Sequence, residues 1–426
     1  MKVFTNERLN EQVLFKELDS GLKIYFMPKP GFVKKYAVFS TNYGSIDNVF
    51  VPIGEDKPVE VPEGIAHFLE HKLFEEEEAN IFDKFSKLGA SVNASTSFNQ
   101  TSYLFNTTDH FYQCLEILIR FVQSPYLTDE NVEKEKGIIA QEIKMYDDNP
   151  AWRVFFNCLR AMYINHPIRI DIAGTVDSIN TITKEMLYKS YNTFYHPSNM
   201  VLFVVGDLSF EEIIETVKKS EKKYELKSID IDRIFEEEPR RVNEKLIEDT
   251  MSVSTPLFYI GFKDYDLGLE GREAIKKDLI TNIILDMLFT PSAKFYNDLY
   301  NDGLIDSNFG AYFSGKKTYG HSIIVGQSNV PEKIYERIEK LFAKNPREFL
   351  AKEDFERLKK NELGNFLMGF NSVESIANNF IDLYFDKFNI LDYLDVLESI
   401  ELDDLLDRFK KHFNSENMVL SVVRPN

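Results

Sequence analysis

The chain has 426 residues, 43% of them hydrophobic and 28% charged, which is enough for two to three globular domains and excludes a fibrous or disordered protein. Its 69 acidic and 50 basic side chains leave a net charge of −19. That balance excludes the concentrated basic surface on which phosphate contacts depend, so no nucleic-acid partner is expected.

The first ten residues are polar and lack the apolar core of a secretory signal. No later stretch approaches the roughly 18 consecutive apolar residues of a membrane span. A cytoplasmic protein without a membrane partner is the expectation. Residues 22–28 and 36–43 read as strands. Residues 64–74 and 79–88 read as helices, with Gly89 as a C-terminal stop. The acidic run Glu75 to Glu78 between them reads as a solvated turn. Residues 91–106, rich in Ser, Thr, Tyr and Phe, read as a strand. Residues 109–123, 129–146 and 151–163 read as helices, and Thr128 is a suitable N-cap for the middle one. The only cysteines, Cys114 and Cys158, fall in the first and third of these, where buried free thiols are expected rather than a disulfide framework.

The sequence then echoes itself. Ser198-Asn199-Met200-Val201-Leu202-Phe203-Val204-Val205 recurs as Glu416-Asn417-Met418-Val419-Leu420-Ser421-Val422-Val423. Both copies read as a short buried strand near the end of a half, which points to duplication. The charge-rich stretch between the halves suggests three parts: residues 1–222 as an N-terminal domain bearing the chemistry, 223–245 as a charged linker, and 246–426 as a C-terminal pseudo-repeat. Helices grouped between runs of strands make the fold class α+β.

The chemistry concentrates in Gly64-Ile65-Ala66-His67-Phe68-Leu69-Glu70-His71-Lys72-Leu73-Phe74. Apolar residues at 65, 68, 69 and 73 have helical spacing. His67 and His71, four residues apart, project from one face and can grip one tetrahedral Zn²⁺. Glu70 lies at the edge of that face, where it can reach water without displacing a ligand. This is the H-x-x-E-H order of the inverzincins. A catalytic zinc ordinarily takes a third protein ligand. The helix at 129–146 offers Glu133, Glu135 and Glu142, and Glu135 and Glu142 share a face. Ile138, Ile139 and Ile143 would seat that helix in the core. On spacing alone, a surface carboxylate describes Glu142 equally well. His110, His166, His196, His321 and His412 lie singly and read as structural.

These residues resemble the pitrilysin/insulinase-type metallopeptidases, particularly small bacterial members related to mitochondrial processing peptidase. The resemblance covers most of the chain. It rests on His67, Glu70 and His71, on the later E-x6-E of Glu135 and Glu142, and on the run Asn93-Ala94-Ser95-Thr96-Ser97-Phe98-Asn99-Gln100-Thr101-Ser102-Tyr103. Lys136 to Pro150 and Asp171 to Thr175 also match such members. The resemblance implies two similar halves, each a mostly antiparallel sheet backed by helices. It implies one Zn²⁺ per chain held by His67, His71 and Glu142, with Glu70 as base and Glu135 as a supporting carboxylate of the catalytic set. It implies a substrate-binding strand at Asn93, Ala94 and Ser95. The expected activity is hydrolysis of short or unfolded peptides within a chamber closed by a second subunit.

One departure bears on that subunit. Relatives often carry an Arg and a later Tyr in the second half, whereas here Tyr300 and Asp306 stand near those places. Neither supplies a guanidinium and a phenol in those roles. The expectation is a heterodimer with a non-zinc family member, ahead of a homodimer. The competing readings are a non-catalytic assembly subunit and a metal-dependent hydrolase of another bond.

Overall fold

The computed structural model describes residues 1–77, 80–224 and 228–426. Glu78 of the expected acidic turn, Ala79 of the expected second helix and residues 225–227 of the expected linker lie outside the described residues. The strands are β1 (Lys2–Asn6), β2 (Glu11–Glu17), β3 (Lys23–Pro28), β4 (Lys35–Thr41), β5 (Val49–Phe50), β6 (Val59–Glu60), β7 (Ser91–Thr96), β8 (Thr101–Thr107), β9 (Met200–Gly206), β10 (Leu246–Met251), β11 (Leu257–Lys263), β12 (Gly310–Gly315), β13 (Gly320–Gln327) and β14 (Met418–Pro425). The helices are α1 (Ile65–Leu73), α2 (Ile81–Lys87), α3 (Phe111–Val122), α4 (Asp129–Asp147), α5 (Pro150–Met162), α6 (Val176–Asn180), α7 (Lys184–Phe194), α8 (Phe210–Ser220), α9 (Gly271–Phe289), α10 (Lys294–Asn301), α11 (Pro331–Phe342), α12 (Lys352–Gly369), α13 (Val373–Phe385), α14 (Tyr393–Glu398) and α15 (Leu402–His412).

The chain forms two compact units. The first comprises Met1–Ile143, Ile170–Phe235 and Met368–Phe385; the second comprises Lys144–Arg169, Glu236–Leu367 and Asp386–Asn426. Neither is continuous in sequence, because the duplicated halves exchange a helix. Helix α5 belongs to the second unit and α13 to the first.

In the first unit the strand order is β1-β2-β3-β9-β4-β8-β7, and only the β3–β9 pair is parallel. The side chains of β9 alternate between faces. Phe203 stacks on Phe380 of α13 at 4.0 Å, on the same face as its neighbour Tyr25. The next residue of β3, Phe26, faces the other way and stacks on Phe210 of α8. The sheet is thus covered on both sides, which is why every residue of β9 is buried.

In the second unit the order is β10-β14-β11-β13-β12, again with one parallel pair, β10–β14. It repeats β3-β9-β4-β8-β7 strand for strand. The echoed Asn has the same task in both copies. Asn199 Nδ2 donates to Phe194 O at 2.8 Å and to Asn42 O at 3.2 Å; Asn417 Nδ2 donates to His412 O and Lys263 O, both at 2.6 Å. One amide, half-buried at Asn199 and buried at Asn417, therefore ties helix end to neighbouring strand in each half. Helix α5 lies against β10, β11 and β14. Gly261 makes room for it, since a Cβ there would stand 2.7 Å from Met162 Sδ and 2.8 Å from Cys158 Sγ. Both expected free thiols are buried.

Three local expectations change. Residues 91–106 form a hairpin rather than one strand. Ser97 turns the chain, its Oγ accepting from Asn99 N and Gln100 N and its own N–H donating to Gln100 O at 2.8 Å. Ile138 is exposed, while Ile139, Ile143 and Val132 seat α4, because 138 lies off that stripe by helical geometry. Strands β1 and β2 precede the first strand expected from sequence; β1 is largely exposed and β2 mostly half-buried, and they give little hydrophobic alternation.

In the segment between the halves, Arg233 Nε donates to Asp47 Oδ1 at 2.9 Å in the first unit. In the second unit, Glu238 accepts from the backbone N–H groups of Ile164, Asn165 and His166.

Candidate metal centre

Helix α1 begins at a tightly constrained backbone position. Gly64 has φ 85°, and a Cβ on it would lie 2.3 Å from Ala173 O. A Cβ on Gly174, at φ 75°, would lie 2.5 Å from Glu63 O. Two glycines therefore lock the entry to α1 against the loop before α6. Ile65, Phe68, Leu69 and Leu73 are buried as their spacing predicts. That orientation turns His67 and His71 toward α4, their ring centroids 4.6 Å apart. Helix α4 starts at the expected cap, with Asn131 N donating to Thr128 Oγ1 at 3.1 Å.

Nitrogen and carboxylate atoms of His67, His71 and Glu142 lie within 4.8 Å of one another. His67 Nε2 stands 3.6 Å from Glu142 Oε1, and His71 Nε2 stands 3.4 Å from Glu142 Oε2. These separations exceed an ordinary hydrogen bond of about 2.7–3.2 Å. They match the edge of roughly 3.3 Å for a tetrahedron whose ligands sit about 2.0–2.1 Å from a central zinc. The donor set, two imidazoles and a carboxylate, also suits that ion. The residues fit the metal.

Glu135 is buried behind this group. Its Oε1 lies 3.1 Å from His71 Nδ1, leaving His71 Nε2 to face Glu142. The Lys72 ammonium is 3.6 Å from the other oxygen, Glu135 Oε2. Burial alone would raise the Glu135 pKa, but the His71 hydrogen bond and the Lys72 charge outweigh it, and the carboxyl is held below its ordinary value. His67 is lowered to about 4 by burial and by repulsion from His71, against the pull of Glu142 and Glu135. It is therefore neutral near pH 7, the form that offers a lone pair. For His71, burial works downward, yet the Glu135 hydrogen bond and three nearby carboxylates raise it.

Glu70 accepts a 2.6 Å hydrogen bond from Thr96 Oγ1. Burial is the largest influence on Glu70 and raises its pKa, with Thr96 partly opposing. A carboxylate so poised can hold a proton in transit. Thr96 ends β7, the edge strand of the first unit's sheet, paired among the described residues with β8 alone. Asn93 and Ser95 are exposed, and alternation puts them on the opposite strand face from Ala94 and Thr96.

Two residues here escaped the sequence reading. Thr96 sits inside the quoted strand run but was assigned no contact with the helix. Lys72 is charged and reads as surface, yet it is completely buried. Its signal was position: it follows His71 and precedes the buried Leu73.

Among the described residues, the second unit holds no comparable centre. Helices α4 and α12 begin at Asp129 and Lys352, so Leu358 and Asn365 hold the places of Glu135 and Glu142. His412 Nε2 and Ser322 Oγ do lie 2.8 Å apart, with Asp264 beyond at 3.5 Å. All three are sealed in the core, and Asp264 is committed to Arg408 through two bonds of 2.9 and 2.8 Å. No substrate reaches them.

A duplicated α+β fold with a His-His-Glu group beside a glutamate outside that group defines a class, the H-x-x-E-H metallopeptidase-like proteins. Comparison with known families narrows it: residues 47–176 match the family model described as Insulinase (Peptidase family M16), and residues 181–362 match Peptidase M16 inactive domain. The chain belongs to the M16 (insulinase) peptidase family. It is 43% identical over 426 residues to the uncharacterized zinc protease YmfH of Bacillus subtilis (strain 168), covering 100% of this chain and 99% of that one. It is 27% identical over 387 residues to a second uncharacterized zinc protease of that strain, YmxG, covering 88% of this chain and 92% of that one. The crystal structure of an M16-like peptidase from Alicyclobacillus acidocaldarius superposes with a TM-score of 0.93 at 39% identity, covering 98% of this chain and 99% of that one. A Helicobacter pylori protease shares the fold at a TM-score of 0.82 and 18% identity, over 97% of this chain and 100% of that one. The relatives support a peptidase-like role. The label of inactivity falls on the half that lacks the metal-centre residues. Among the described residues, no helix is long and apolar enough to cross a membrane.

Proposed function

We propose that this chain is a zinc metalloendopeptidase subunit, with His67, His71 and Glu142 holding one Zn²⁺, Glu70 as general base and Glu135 as the carboxylate that orients His71. What carries the reading is the meeting of the two His Nε2 atoms at the Glu142 carboxylate, with Glu70 alongside. Bound zinc supplies a Lewis acid that acidifies water and polarises a carbonyl. Glu70 accepts the proton of the attacking water at its carboxylate and returns it to the leaving amine. Thr96 orients Glu70 for that transfer through its 2.6 Å bond.

The substrate is a short or unfolded peptide in extended form. It adds to the open edge of β7, where the main chain around Asn93, Ala94 and Ser95 provides sequence-independent hydrogen bonds. The same strand ends at the Glu70 partner, which supports a scissile bond delivered beside the base. A non-zinc family member completes the chamber as a second subunit, ahead of a second copy of this chain. In support, the position expected to hold Arg carries the exposed Tyr300, and Asp306 is taken up in its own turn, accepting from Asn308 N at 2.9 Å.

The test is purification of the native complex, its composition by native mass spectrometry, and cleavage of a mixed peptide library with and without a zinc chelator. Zinc-dependent cleavage of unfolded peptides by a heteromeric complex is expected. Full cleavage after zinc removal would end the metallopeptidase reading, and an active homodimer would end the heterodimer.

A further inference from the structure

We propose that Lys72 is a positioning residue for the metal centre, acting through Glu135 on the ring of His71. This rests on the zinc reading above and deepens it.

The side chain of Lys72 is 0% exposed, an unusual state for a lysine. A buried ammonium is tolerated only where partners compensate its desolvation. Lys72 finds them on α4 and at the end of its own helix. Its Nζ donates to Asn131 O at 3.2 Å and to Glu75 Oε2, and it stands 3.6 Å from Glu135 Oε2. Glu135 divides its two oxygens accordingly, Oε1 to His71 and Oε2 to Lys72. A carboxylate hydrogen-bonded through one oxygen and facing an ammonium charge 3.6 Å from the other is biased against rotation. His71 and Lys72 are consecutive on α1, so two neighbouring side chains grip one carboxylate of α4. The grip sets the spacing of the two helices where His67, His71 and Glu142 must converge. A lysine needed only to fill space would be served by methionine, which avoids the desolvation cost.

The experiment measures zinc affinity by competition with a chromophoric chelator, for the full-length chain and for Lys72→Met, Glu135→Gln and the double variant. Circular dichroism and thermal melting report folding of each apo form. Lys72→Met is expected to keep the fold and weaken zinc binding by several-fold, up to about 30-fold and no more than Glu135→Gln does, as for loss of a group that acts through a ligand-orienting carboxylate. Because Lys72 acts through Glu135, the double variant should bind zinc about as weakly as Glu135→Gln alone. Lys72→Gln guards against a folding failure: it keeps a donor for Asn131 O, loses the charge facing Glu135, and should show the same loss. Wild-type affinity in the folded Lys72→Met or Lys72→Gln chain overturns the positioning role, as does full additivity with Glu135→Gln. Absence of zinc binding by the wild-type chain is a separate result that removes the metallopeptidase reading itself.

Discussion

Replacing Glu135 by Gln probes how the metal centre is organised. The carboxylate receives the His71 Nδ1 hydrogen at 3.1 Å and faces the Lys72 ammonium at 3.6 Å. Gln keeps an acceptor of the same shape for His71, so the ring loses charge assistance rather than its partner. A hydrogen bond to a charged group contributes about 1.5–3 kcal/mol, against about 1 kcal/mol for a neutral one. The difference, about 0.5–2 kcal/mol, corresponds to a zinc affinity lower by roughly 2–30-fold, overlapping the lower end of the 10–100-fold range typical of residues that orient a ligand. Chelator competition at pH 7.5 measures it directly. The neutral amide also leaves the buried Lys72 short of a counter-charge, so the apo protein should melt earlier. Unchanged zinc affinity in a folded Glu135→Gln chain would refute the argument that Glu135 orients His71.

Other consequences are separable. Glu70→Gln should retain zinc and lose about 10²–10⁴-fold in turnover, the usual contribution of a general base; near-normal cleavage would remove Glu70 from that role. Asp264→Asn leaves the buried Arg408 and Lys277 without their shared carboxylate, whose contacts are 2.8 to 3.2 Å. Breaking one side of such a buried cluster costs about 3–5 kcal/mol, readable as a large drop in melting temperature; a drop equivalent to less than about 1 kcal/mol would contradict the cluster's importance. The buried His166 and His412 are lowered to about 4 and His321 to about 3, in each case chiefly by burial. Their folded values lie below the unfolded value of about 6.5, so the unfolded chain takes up protons first as pH falls. Their stabilisation is complete above that value and declines by up to about 1.4 kcal/mol per pH unit per histidine between about pH 6.5 and 4. Melting temperatures at pH 7.5 and 5 should differ accordingly, and equal values would show these imidazoles to be solvated.

Much of this architecture is legible in the sequence because burial and helix geometry act locally. The spacing of Ile65, Phe68, Leu69 and Leu73 sets α1, and with it the common face of His67 and His71. The repeated Asn-Met-Val-Leu run announces the duplication because one side-chain amide performs the same task at Asn199 and Asn417. The exchange of α5 and α13 between units was not legible. Either helix has an apolar face suited to any sheet, and only the sheet's own surface, such as Gly261 beneath Cys158 and Met162, selects the partner. Lys72 was missed for a related reason: nothing local distinguishes a lysine bound for solvent from one whose acceptors arrive on a helix some sixty positions later. Glu142 needed the family resemblance, since a carboxylate on a charged helix turns inward only when something waits there for it.

The most direct measurement is diffraction at the zinc absorption edge from crystals of the chain grown with zinc. One anomalous peak is predicted, about 2.0–2.1 Å from Nε2 of His67, Nε2 of His71 and the Glu142 carboxylate, with Glu70 outside the ligand set. No peak among these residues, or one coordinated by Glu70 in place of Glu142, would contradict it.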